Sequence, residues 1–334
     1  LVIGAAVTIS ELIRISDELK PRAKEFAAHR VSLRALATQA RFFANENVRH
    51  TGSIGGGLVS CHHLSDVVPV WLALDAQVSI VSHTHGSRTS PVADLVDVAQ
   101  RRLLLEPDEI VVSVILPPRD PAVFVAETFK QAIRRTDTMA LINAAMTATR
   151  SAGGHLQDVR LIFGGLGAPG LRARKTENAV QTHSGGALSN KKDELDTLED
   201  TLRGEIDELN VRALPEQMRK YQREVAAGFL RRFLQSAAPG TAVSKDTSRL
   251  RQPPSRGRQI FRASSSDGPI IGRALTQRYL PQHTHGDTRY TVDEQLPEGG
   301  LHAAIVPAPI ASGTLLKIDA SKARGQHGFV GVIT

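Results

Sequence analysis

Cysteine is almost absent: Cys61 is the only one in 334 residues. A lone thiol excludes an internal disulfide framework and fits a reducing compartment. It also excludes an iron–sulfur cluster held by this chain alone, since a cluster needs several thiolates. Long apolar runs are missing too. "LVIGAAV" at the start and "IVVSVILPP" from Ile110 have strand length, far short of the ~20 residues of a membrane helix. No charged n-region with a cleavage site opens the chain. Aromatic residues make up 4% of a chain that is 41% hydrophobic, so its cores are expected to be Val, Leu, Ile and Ala. No internal repeat of repeat-protein length occurs. The first residue is not Met, and both ends are strand-like runs, so a fragment is expected.

The length suggests two or three domains. Residues 10–48 read as helices, with Leu33, Leu36, Ala40 and Phe43 at three- and four-residue steps. A glycine loop follows, then strand-like alternation at Val78, Ile80 and Ser82, a hairpin-like turn at "SHTHGSRTSPV", and a strand "DEIVVSVILPP" closed by two prolines. A second unit opens near Phe124 with three strands, "FVAETFKQA", "MALINAAMTATR" and "VRLIFGGLGAPGLRARKTE". Two helices follow, one striped by Leu195, Leu198 and Leu202, the other by Val225, Phe229 and Phe233. Sheet followed by helices indicates α+β. The net charge of +7 is uneven: Lys245, Arg249, Arg251, Arg256, Arg258 and Arg262 fall in a Pro- and Gly-containing stretch that reads as an exposed linker. Such a linker is expected to be a solvated tether, with no nucleic acid and no membrane as partner. Strand patterns resume in "GLHAAIVPAPIASGTLLKIDASKA".

Several constellations could carry chemistry. Gly55, Gly56 and Gly57 in "HTGSIGGGLVS" suit either a tight turn or a row of backbone N–H groups receiving a phosphate. Asp66 in "LSD" could accept from ribose hydroxyls or serve as a turn residue. Lys130, Arg134, Arg135 and Asp137 form either a charged rim for a phosphate-rich cofactor or a solvated strand end. His83 with His85, and His283 with His285, give two HxH pairs. Neither has a carboxylate or cysteine at ligand spacing, so surface histidines are expected and no metal site. Cys61 beside His62 and His63 shows neither an activated thiol nor an oriented base.

Taken together, "ARFFANENVRHTGSIGGGLVS", "LSDVVPV", "EPDEIVVSVILP", "FKQAIRRTDTMALINAAM" and "VRLIFGGLGAPGLRARKTE" resemble the xanthine dehydrogenase / aldehyde oxidase family of molybdenum–flavin enzymes. "GRAL", "YTVDEQLPEGGLHAAIV" and "KIDASKARGQHGFVGVIT" resemble the start of its molybdopterin domain. The resemblance implies the C-terminal part of an FAD-binding domain over 1–118 and an α+β flavoprotein C-terminal domain over 119–236, with a three-stranded sheet plus helices. It implies a basic linker over 237–268 and a truncated, α/β hammerhead-like start of the molybdopterin domain over 269–334. It places FAD against Ser53, Ile54, Gly55, Gly56 and Gly57, with the glycine N–H groups and the Ser53 hydroxyl near the diphosphate. Phe43 matches an aromatic residue beside the cofactor, Asp66 a cofactor carboxylate, Val111 an apolar contact and Lys130 a lysine on FAD. Asp137 matches an acid near the flavin ring, where NAD approaches.

Gly57 stands where the family carries Asn, and Val292 where it usually carries an acid. The family takes electrons from purine hydroxylation at molybdenum through two 2Fe-2S clusters to FAD, then to NAD or oxygen. The implied protein is a cytoplasmic or peroxisomal homodimer that turns hypoxanthine and xanthine into urate; the alternatives are an aldehyde oxidase passing electrons to oxygen, or a degenerate, non-catalytic basic interaction protein. Its clusters, molybdenum residues and first FAD phosphate loop would lie outside these residues, so no catalytic residue for purine hydroxylation and only weak FAD binding are expected here.

Overall fold

The computed structural model describes residues 1–18, 26–98, 100, 102–134, 137–183, 192–210, 214–237, 277–308, 310 and 312–333. The chain divides into two compact units, Leu1–Arg256 and Gly257–Thr334.

The first unit opens with β1 (Val2–Gly4), α1 (Ile9–Glu18), α2 (Arg30–Ala40), α3 (Glu46–Thr51), α4 (Ile54–Val59) and α5 (Val68–Ala73). Next come β2 (Gln77–Ser82), β3 (Gly86–Pro91), a short α6 (Val92–Leu95) with the ribbon β4 (Val96–Asp97) and β5 (Arg102–Leu103), and β6 (Glu109–Ile115). An antiparallel sheet forms in the order β1-β6-β2-β3. Its strands alternate as their β-branched sequence demands: Val78, Ile80, Val111 and Val114 are buried, while Val81, Ile110 and Val112 face out.

The expected helical stretch breaks where it matters. α2 stops at Ala40, Ala44 takes a left-handed φ of +41°, and Asn45 caps α3 by accepting from Val48 N at 3.1 Å. The break leaves Phe43 and Asn45 on a corner instead of a helix face.

A second sheet contains β7 (Phe124–Ala132), β8 (Ala140–Arg150), β9 (Leu156–Gly164) and β10 (Leu171–Arg172) in the order β10-β9-β8-β7, all antiparallel. The expected three strands are therefore four. The third stretch turns at "GGLGAPG", adds the short β10 and enters α7 (Arg174–His183), a helix absent from the sequence reading. α8 (Lys192–Leu209) and α9 (Glu216–Ala237) follow.

Both faces of this sheet are covered, which explains its apolar strands. Ile142, Ala144, Met146 and Ala148 join Leu195, Leu198, Leu202, Phe229 and Phe233 in the core under α8 and α9, with Phe129 stacked on Phe229 at 5.0 Å. The intervening residues look the other way, towards α2 and α5. Thr128 donates to Ala35 O at 3.4 Å and Thr147 to Ala73 O at 3.0 Å. The period of two thus aims Lys130 and Asn143 at the first sheet's helices.

The basic linker lies outside the described residues, except for Ala237, which ends α9. In the second unit the described residues form short helices and no strand. The strand patterns expected over 301–324 are corrected by this. Ile305, Val306, Leu315 and Leu316 are strongly exposed, and an isolated strand has nothing to pair its backbone groups.

Candidate functional site

The glycine stretch is a helix, not a loop. Ser53 is the N-cap of α4, and its Oγ accepts from Gly56 N at 3.0 Å. The other first-turn amides are also engaged: Ile54 N donates to Val7 O at 2.9 Å, Gly55 N to Ala5 O at 2.8 Å and Gly57 N to Ser53 O at 3.0 Å. The expected row of free N–H groups is therefore used up inside the chain. Gly55 is required for packing, because a Cβ there would lie 2.6 Å from Ala5 Cβ. Ile54 is buried in the core. Gly56 is exposed and Gly57 half-exposed. At Gly57 the nearest atom to a Cβ is Val67 Cγ2 at 4.0 Å, so that position is open. What remains for a ligand is a bare backbone surface and the Ser53 hydroxyl, which keeps its own proton to donate.

Asp66 and Lys130 face each other rather than an open site. Lys130 Nζ donates to Asp66 Oδ2 at 2.6 Å, Phe42 O at 2.8 Å and Thr138 O at 3.0 Å. All three ammonium protons are committed, and the side chains of the pair are 4% and 6% exposed. Asn143 Nδ2 approaches Asp66 Oδ1 at 3.3 Å and Ser65 O at 3.0 Å. Burial pushes the Asp66 carboxyl above its ordinary range, against the opposing pull of Lys130 and Asn143. Asp66 and Lys130 together form a buried brace. It joins four segments: the 64–66 turn, the end of α2, β7 and the turn before β8.

On this brace sits an exposed rim. Phe43 packs half-buried against the first core and lies next to Gly52. Asn45 Nδ2 donates to Asp137 Oδ1 at 3.2 Å, and Asp137 is exposed with a left-handed φ of +55°. Arg134 anchors the turn by donating to Asp137 O at 2.9 Å, while Arg135 lies outside the described residues. Val111 is not at the rim: it is 7% exposed and belongs to the core, because the pleat turns it opposite to Ile110 and Val112.

Sequence reasoning missed Asn45 and Asn143. The signal for Asn143 was its isolation as a polar residue in the apolar strand "ALINAAM". Gly164 makes room for it, since a Cβ there would lie 2.3 Å from Asn143 Oδ1. His83 and His85 occupy the β2–β3 turn, which Asp108 closes by accepting from Ser82 Oγ and Thr84 N. Among the described residues no group of three or more His, Cys, Asp or Glu could hold a metal ion. Cys61 is buried and its thiol is pushed up to about 11 by burial.

Two family models match this arrangement side by side. Residues 1–119 match the FAD binding domain in molybdopterin dehydrogenase, and residues 127–237 match the CO dehydrogenase flavoprotein C-terminal domain. Xanthine dehydrogenase of Oryza sativa subsp. japonica is 31% identical over 350 residues, covering 99% of this chain and 24% of that protein.

The chain is similar over nearly its whole length to the xanthine dehydrogenases.

Aldehyde oxidase 3 of Rattus norvegicus is 25% identical, covering 100% of the chain and 25% of that protein. The chain thus spans about a quarter of the length of the curated relatives it matches. Reconstituted CO dehydrogenase from Oligotropha carboxidovorans shares the fold at a TM-score of 0.57 and 21% identity, over 72% of this chain and 76% of that one. Residues 1–119 thus form an FAD-binding segment of this type. Among the described residues no helix is long and apolar enough to cross a membrane.

Proposed function

We propose that this chain holds the flavin of a xanthine dehydrogenase-type oxidoreductase and passes electrons outward to NAD. In this reading FAD lies on the exposed face of α4 and against the rim. Ser53 donates to the diphosphate, Gly56 and Gly57 offer bare backbone for close approach, and Phe43 and Asp137 flank the ring. The observation that carries it is the convergence of Phe43, Asn45 and Asp137 over the buried Asp66–Lys130 pair. The residues suit the group: the glycine surface lacks side chains, and the rim combines an aromatic ring with polar partners. When bound, FAD supplies the exchange between one-electron centres and a two-electron acceptor. The chain binds and orients it. Lys130, with no proton to spare, fixes the backbone at Phe42 and Thr138. Molybdenum, the 2Fe-2S clusters and purine oxidation to urate belong to other residues of the same enzyme. Residues 1–118 and 119–236 are the two flavoprotein domains, and 269–334 begin the molybdopterin domain.

Charge at Gly57 tests the flavin site. The position is open, so Gly57→Glu and Gly57→Lys should both fold. Titrating FAD fluorescence should give saturable quenching at micromolar or weaker affinity. The Lys variant should bind FAD about threefold to tenfold more tightly than the Glu variant, a difference of roughly 0.7–1.4 kcal/mol. Absent saturation, or equal affinity in the two variants, would remove α4 from the site.

The acceptor is tested at Asp137. A carboxylate beside the flavin ring suits the positive nicotinamide of NAD and opposes anionic flavin by like-charge repulsion. In the enzyme containing this chain, Asp137→Ala should lower the ratio of NADH to superoxide plus peroxide formed per urate, while purine oxidation with an artificial acceptor persists. An unchanged ratio would favour the aldehyde oxidase reading, in which oxygen is the acceptor.

A further inference from the structure

At the end of β7 remote from Lys130, a polar cleft of 410 Å³ opens between the first sheet's connections and α7. Phe124 lines it, and Lys130 lies six steps further along the same strand, about 20 Å at ~3.3 Å per residue. The cleft is therefore separate from the proposed flavin site. Four guanidinium groups line it: Arg119, Arg160, Arg172 and Arg174.

Their anionic partners are already shared. Arg119 and Arg160 both lean on the single carboxylate of Asp75, at 3.4 and 3.0 Å. Arg172 meets Glu177 through Nε alone, at 2.9 and 2.8 Å from its two oxygens. One of those oxygens also accepts from Leu161 N at 2.8 Å. Arg174, exposed in the first turn of α7, has no ion pair among the described residues. Asp158, the third carboxylate of the lining, is solvent-exposed. Arg119 Nε is buried with no acceptor, although its guanidinium lies over the Phe124 ring at 5.3 Å. A buried donor without a partner calls for one. Guanidinium forks with open N–H edges match the oxygens of a phosphate.

We propose that this cleft binds a small phosphate-bearing anion through Arg119, Arg160, Arg172 and Arg174. Clefts of roughly 300–1,000 Å³ hold small-molecule ligands, so a phosphomonoester fits as well as free phosphate. The lining comes from both sides of the Asp75–Arg160 ion pair, and a ligand there ties the first sheet's connections to the second sheet.

Isothermal titration at matched ionic strength tests this, with inorganic phosphate in one arm and glycerol 3-phosphate in the other. Saturable one-to-one binding is expected in at least one arm, and the tighter arm identifies the source. Arg174→Ala should weaken it at least tenfold; this exposed side chain braces nothing, so folding should be unaffected. Asp75→Asn should tighten binding severalfold by releasing two guanidiniums. Arg88→Ala, which disturbs only the pair with Glu109, should leave affinity unchanged. Heats no different from chloride, equal affinity in Arg174→Ala, or an equal loss in Arg88→Ala would overturn the site. Weaker binding in a folded Asp75→Asn would do the same.

Discussion

Lys130 spends its three protons on Asp66, Phe42 O and Thr138 O, all within 3.0 Å, which makes it a structural cation. Removing one partner of a buried pair leaves the other charge uncompensated. Lys130→Met should therefore destabilise the chain by about 3–5 kcal/mol, whereas Lys130→Met with Asp66→Leu should recover much of the loss. Urea unfolding of the two variants and the parent checks this. Equal stability of the single and double variants would mean that the pair is not coupled. Both residues were legible as important from the sequence, but their pairing was not. They lie 64 positions apart, and no spacing rule connects a turn carboxylate with a strand lysine. Only the pleat of β7, which sends Lys130 towards α2, brings them together.

At the scale of the element, α4 was the hardest to read. Three glycines disfavour a helix by about 1 kcal/mol each relative to Ala, so propensity pointed to a loop. Tertiary contacts override it: the Ser53 cap and the bonds from Ile54 and Gly55 to Val7 and Ala5 hold the first turn. Ser53→Ala should cost about 1 kcal/mol as a lost cap. Gly55→Ala should cost about 1–3 kcal/mol by overpacking against Ala5. Gly57→Ala should be neutral or stabilising, since nothing crowds that position. Thermal unfolding of the three variants gives the order, and an equal cost at Gly55 and Gly57 would refute the packing explanation. Elsewhere periodicity sufficed. The leucine stripe of α8 and the phenylalanines of α9 were visible because a 3.6-residue repeat needs no partner to be recognised. α7 was not, because "RKTENAVQTH" is mostly polar, with Val180 as its fully buried aliphatic side chain.

At the scale of the molecule, the second sheet has two occupied faces with different tasks. One supports α8 and α9 through an apolar core. The other presents Thr128, Lys130, Asn143 and Thr147 to α2, α5 and the 64–66 turn. Each of these side chains donates to a partner across the interface, while Asn143 Oδ1 is buried without one. Together the donors fix a single register between the second sheet and the helices it packs on. The α+β class was readable from element order, and the family resemblance from several motifs in sequence. The division of labour between the faces was not, since it depends on which neighbour each strand residue meets. Placing the flavin on the rim above the Asp66–Lys130 brace is the central claim. Hydrogen–deuterium exchange of the chain with and without saturating FAD tests it most directly. Slowed exchange is expected in segments 42–59 and 137–140, with the strands around Arg160 and Arg172 unchanged. Protection confined to the Arg160–Arg172 region, or spread evenly over the chain, would contradict it.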